Sequence, residues 1–118
     1  MLPNRMQLSR RTEEQLKRLK TFTGITPNIA ARLAFFRSIE SDFRYSPSIH
    51  NFKLDGSLTL DKITWLGDTL QITELTLVFL YPKMEEKDLV KAWAAHIDDG
   101  ISALRSYRNL DDFCMALF

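Results

Sequence analysis

The apolar and polar positions change period several times along the chain. Arg5–Ser9 alternates, with Met6 and Leu8 set between Arg5, Gln7 and Ser9, the two-residue period of a half-buried strand. A lone strand leaves backbone groups unpaired, so this short one asks for a partner. A helical period follows. Leu16, Leu19 and Phe22 form an apolar stripe, Thr12-Glu13-Glu14-Gln15 is a capping-box pattern, and Gly24 is a stop signal. Lys17, Arg18 and Lys20 then fall mostly on the solvent side. A second helix starts at Thr26, an expected N-cap, with Pro27 at its first position, and runs to about Asp42. Ile29, Leu33, Phe36 and Ile39–Glu40 carry its period, and Ala30, Ala31 and Ala34 allow close packing.

Phe43–Ser57 reads as irregular, with turn chemistry at Pro47 and at Leu54-Asp55-Gly56-Ser57. Leu58–Tyr81 is divided. Ile63, Leu66, Leu70 and Leu77 favour a helix, whereas Thr59, Thr64, Thr69, Thr73, Thr76 and Val78 favour a strand by propensity. The run is too long for one strand, so a helix ending at Pro82 is expected. Glu85–Tyr107 predicts a long helix with Leu89, Trp93, His96–Ile97, Ile101 and Leu104 on one face. Asn109 can cap a last short helix, Leu110–Phe118. Its Phe113, Met115, Leu117 and Phe118 need something to pack on, which predicts a docked C-terminus. The expected fold class is mainly α: one compact helical domain over 1–118, homo-oligomeric. It comprises a basic, ribbon-helix-helix-like segment at 1–44 and a helical, acidic remainder at 58–118.

A length of 118 residues suits one domain that buries a core without disulfides or metal, and 45% apolar with 26% charged residues is ordinary globular composition. The start, Met1-Leu2-Pro3-Asn4-Arg5, lacks the apolar stretch of a signal peptide, and no apolar run approaches the roughly 18 residues of a membrane span. A cytoplasmic location is expected, and a single thiol, Cys114, fits it. Net charge adds a further point. Residues 1–44 hold nine Lys/Arg against four Asp/Glu, and residues 45–118 hold seven against eleven, balances of +5 and −4 that add to +1. A basic half beside an acidic one suggests a surface that meets a polyanion.

Candidate chemistry is sparse. His50, His96 and Cys114 show no metal-ligand spacing, so neither a zinc site nor an iron–sulfur cluster is expected. His96 and Asp99, three apart on a helix, could be a base and its orienter, but read better as a local contact. Asp98-Asp99 and Asp111-Asp112 read as solvent or helix-end carboxylates, and Cys114 as a core or interface thiol without an activating cation. Gly24, Gly56, Gly67 and Gly100 are isolated, so no phosphate loop is present. Trp65 and Trp93 read as core. No catalytic residue, metal or cofactor is expected.

Strand, helix, glycine turn and capped helix follow one another in ribbon-helix-helix order. In that architecture two chains pair their strands, and the ribbon enters the major groove. Arg5, Gln7 and Ser9 would face outward, and the amides at Thr26–Asn28 would meet a phosphate. The plainer alternative has Met6 and Leu8 packing on the first helix, with Lys17, Arg18 and Lys20 a solvated face. The residues themselves add something specific. Leu2–Arg5, Gln7–Arg11, Gly24-Ile25-Thr26-Pro27-Asn28-Ile29-Ala30-Ala31-Arg32, Leu54-Asp55-Gly56-Ser57 and Lys91-Ala92-Trp93-Ala94-Ala95-His96 resemble the DndE family of bacterial DNA phosphorothioation, over nearly the whole chain. The resemblance implies a helical homotetramer that binds double-stranded DNA, with a preference for nicks, through surface lysines. It also implies DndC, DndD and a desulfurase-linked sulfur supply as partners. The family has no compact catalytic motif. Lys17 and Lys20 fit the lysine-based contact best, and the full set of expected DNA contacts is Lys17, Lys20, Arg10, Arg11, Arg18, Arg5 and Gln7. A non-catalytic scaffold for the modification enzymes is the alternative.

Overall fold

The computed structural model describes residues 1–50, 52–104 and 110–116. The order is β1 (Arg5–Met6), α1 (Arg10–Thr23), α2 (Pro27–Ile39), β2 (Leu60–Asp61), α3 (Lys62–Leu66), a 3₁₀ turn (Gly67–Thr69), α4 (Leu70–Leu80), α5 (Glu86–Leu104) and α6 (Leu110–Ala116). The chain is mainly helical, as expected.

The core is built where α2 packs on α5, with α1 against both. The contact uses small side chains. Ala30, Ala31 and Ala34 of α2 and Ala92, Ala94 and Ala95 of α5 are buried, as are the large Phe35 and Trp93. At Gly100 the helices come so close that a Cβ would lie 1.9 Å from the Ala34 carbonyl oxygen. Only glycine fits there. This corrects the face expected for α2. Ile29 is exposed and Leu33 and Phe36 are only partly buried, while Ala30, Ala31, Ala34, Phe35 and Ser38 face the core. Close backbone approach along the alanine face won over the larger side chains.

The short strand finds its partner within the chain. β1 pairs antiparallel with β2, Arg5 opposite Asp61 and Met6 opposite Leu60. Met6 and Leu8 are buried and Arg5 and Gln7 exposed, so the alternation is as expected. The ribbon pairing expected between two chains is supplied here by β2 instead. Leu58–Tyr81 is therefore not one helix. Asp61 leaves the strand and caps α3 by accepting from the Thr64 amide at 3.0 Å, and Gly67, at φ 50°, breaks the run before α4. Helix α4 ends at Leu80, before Pro82. Helix α5 matches its expectation to Leu104; residues 105–107 lie outside the described residues, as do Asn109, Leu117 and Phe118. Cys114 and Met115 of α6 are exposed, so of the two readings of that thiol, core or interface, the core one does not hold. Trp93 is buried and Trp65 partly so.

Candidate nucleic-acid interface

Helix α1 begins three residues earlier than its capping-box pattern suggests. Ser9, in extended backbone, is the N-cap and accepts from the Thr12 amide at 3.1 Å. Thr12 is thereby carried into the helix and buried, its hydroxyl donating to Asp98 at 3.0 Å. The C-terminus follows expectation: Gly24 adopts φ 79° and its N–H returns to the Lys20 carbonyl at 2.8 Å.

A buried carboxylate fixes how α1 sits. Glu13 is only 6% exposed and accepts from the amides of Ser57 and Leu58, both at 3.0 Å. A Cβ on Gly56 would lie 2.5 Å from Glu13 Oε2, which explains the glycine in Leu54-Asp55-Gly56-Ser57. Next to it the Arg10 amide donates to Asp55 Oδ1 at 2.9 Å, and this bond is the main reason the Asp55 carboxyl titrates below its ordinary range. Sequence reasoning placed Glu13 only within the capping-box pattern and missed this clamp. A glutamate and a tight turn 44 residues apart carry no pairwise signal in one sequence.

The outward face of α1 is cationic. Arg10, Arg11, Lys17, Arg18 and Lys20 are all exposed, with Glu14 the acid among them. Arg10 and Lys17 point nearly the same way, as do Arg11 and Arg18, because seven residues are close to two turns. Among the described residues Arg10, Lys17, Arg18 and Lys20 form no ion pair. Two expected contacts are engaged elsewhere. Arg5 pairs with Asp61 at 2.9 Å, and Gln7 donates to the Gly56 carbonyl at 3.3 Å. Asp61 titrates low chiefly because the Thr64 amide and hydroxyl donate to it, with Arg5 adding a smaller part. Arg11 forks onto Asp98 yet stays largely exposed. The α2 N-terminus is capped without its expected bond: the Thr26 hydroxyl donates to Asn28 Oδ1 at 2.7 Å rather than serving an amide.

His96 and Asp99 do not touch as a base and orienter. Ser38 stands between them, 2.8 Å from His96 Nδ1 and 2.8 Å from Asp99 Oδ2. A carboxylate only accepts, so Ser38 donates to Asp99 and accepts from His96 Nδ1–H. His96 Nε2 then accepts from Tyr81 at 2.8 Å, and the Tyr81 oxygen accepts the Tyr45 amide at 2.8 Å. Every member of this buried chain is satisfied with a neutral imidazole. Burial, aided by the Arg44 charge, pulls His96 down to about 4, and burial raises Tyr81. The imidazole is fully enclosed, so the chain is structural.

On α4 the outer face is apolar. Ile72, Leu75, Val78 and Phe79 are exposed, Phe79 to 84%, while Thr73 and Leu77 face the core. Among the described residues no group of three His, Cys, Asp or Glu could hold a metal, and no helix is long and apolar enough to cross a membrane.

A family model for the DNA sulphur modification protein DndE matches residues 5–112. The chain belongs to the DndE family. None of the curated proteins compared with it matches. A crystal structure of DndE from Escherichia coli B7A, involved in DNA phosphorothioation modification, is 73% identical with a TM-score of 0.86 over 88% of this chain and 98% of that one. A crystal structure of a DndE mutant involved in DNA phosphorothioation is 71% identical with a TM-score of 0.82, covering 87% and 98%. DndE membership ties the chain to DNA phosphorothioation.

Proposed function

We propose that the chain is an accessory protein of DNA phosphorothioation that binds double-stranded DNA, nicked duplex in preference, through the outer face of α1. The observation that carries this reading is the row of exposed cations on α1, of which Lys17, Arg18 and Lys20 have no carboxylate partner among the described residues. Each phosphate they neutralise releases counterions, so affinity falls steeply with salt. Arg10 and Arg11 extend the row. Arg5 and Gln7, held by Asp61 and the Gly56 carbonyl, are secondary contacts, which favours phosphates over base edges. A nicked duplex bends at lower cost than an intact one, so a surface that bends DNA gains at a nick. The role is binding, without catalysis or cofactor, in the cytoplasm.

The same reading includes self-assembly into a homotetramer. The outer face of α4 supports it, because four large apolar side chains in contact with water are costly unless another protein surface covers them. Assembly repeats the α1 face, and repeated weak contacts multiply. DndC and DndD, with a desulfurase-linked sulfur supply, are the partners. A non-catalytic scaffold is the second reading, favoured by that same α4 face.

Gel shifts on nicked and intact duplexes of two unrelated sequences test the proposal. Nicked DNA is retarded at lower protein concentration in both sequences; strong discrimination between sequences contradicts it.

A further inference from the structure

A cleft beside α1 has a lining that phosphate contacts leave unused. It measures about 320 Å³, near the lower end of the roughly 300–1,000 Å³ of small-ligand sites. The loop after α2 contributes three rings, Phe43, His50 and Phe52. Helix α5 contributes Ala95, Asp98, Asp99 and Ser102 from one face, and Arg11 of α1 completes the lining.

The polar groups are held in place. Asp98 is fixed by Arg11 and the Thr12 hydroxyl. Asp99 Oδ2 is the last acceptor of the buried chain through Ser38, His96 and Tyr81, and its other oxygen accepts no hydrogen bond among the described residues. Arg11 disfavours a simple cation here, and the two carboxylates disfavour an anion. Rings beside a fixed acceptor, a hydroxyl and a guanidinium match a flat neutral heterocycle with N–H donors on its edge.

We infer that the cleft takes one unstacked nucleobase, its amino edge on Asp99 and its face against the aromatic side chains. This rests on the DNA binding proposed for α1, since Arg11 belongs both to that outer face and to the cleft. A nick leaves a 3′ and a 5′ strand end, so a base there leaves the stack at lower cost. Adenine, cytosine and guanine each carry an amino group for Asp99. Thymine has no amino group and offers only its single imide N3–H, flanked by two carbonyl oxygens that a carboxylate repels, so it is the poorest occupant.

The test uses the full chain, nicked duplexes with adenine or thymine at the nick, and free 2′-deoxyadenosine followed by NMR. The nucleoside shifts the amides of Ala95, Asp99, Ser102 and Phe52, and adenine at the nick binds several-fold tighter than thymine. Phe52→Ala and Asp99→Asn each abolish that preference, with up to about tenfold loss on the adenine nick, while intact duplex binds as before. If Asp99→Asn fails to fold, Phe52→Ala carries the comparison. Absence of the nucleoside shifts overturns the inference whatever the DNA affinities, and so do equal affinities for the two nicks. If no duplex binds at all, the α1 reading fails, and the nucleoside titration alone decides the cleft.

Discussion

Helices α1 and α4 lie on the same core and present opposite chemistry to their surroundings. α1 turns Leu16 and Leu19 inward and leaves Arg10, Arg11, Lys17, Arg18 and Lys20 outside. α4 turns Thr73 and Leu77 inward and leaves Ile72, Leu75, Val78 and Phe79 outside, with Gln71 the polar exception. The first face is at rest in water and attracts a polyanion. The second is a helix apolar on both sides, the pattern of an element buried from both sides. Under the function proposed above, the difference divides the tasks by helix: one face for nucleic acid, one for protein.

That division depends on the α2–α5 contact, and the largest effect comes from breaking it. Gly100→Leu drives a side chain into the Ala34 backbone. It costs about 3 kcal/mol or more, and thermal unfolding shows both faces lost together. Acid comes next. The His96 pKa is about 4 in the folded chain, below its ordinary 6.5. The unfolded chain therefore binds the proton more readily, so stability is complete above about pH 6.5 and is lost as pH falls through about 4. The full loss is about 3 kcal/mol. Denaturant midpoints between pH 7 and pH 4 read it, and His96→Gln flattens the profile.

Two substitutions then separate the faces. Phe79→Glu on α4 shifts light scattering towards the monomer by at least tenfold in dissociation constant, and leaves circular dichroism unchanged. Lys17→Glu with Lys20→Glu weakens duplex binding and leaves the oligomer intact. A change of assembly by the lysine pair would merge the two faces into one. The smallest effect tests the anchoring of α1: Ser9→Ala removes its cap and costs about 1 kcal/mol in denaturant titration.

The same contrast explains what was legible in the chain. α1 and α5 are amphipathic, so their period reveals both the element and its buried side, except that Phe22, placed on the α1 stripe, is exposed. α2 and α4 carry apolar residues on more than one side, so the pattern indicates helix without choosing a face. In α2 the choice fell to the alanine side because Gly100 lets the backbones meet there. The break at Gly67 and the strand at Leu60–Asp61 were hidden because β2 exists only as the partner of β1. The cationic row on α1 was legible from spacing, but the engagement of Arg5, Gln7 and Arg11 was not. Their partners, Asp61, the Gly56 carbonyl and Asp98, are distant in sequence.

The central claim is that α1 holds DNA by its phosphates. Its most direct test is the salt dependence of binding to one nicked duplex, measured for the unaltered chain and for Lys17→Gln with Lys20→Gln. Removing two phosphate contacts lowers affinity and makes the slope of log K against log salt shallower by about two for each protomer engaged. Equal affinities with parallel slopes would contradict the account.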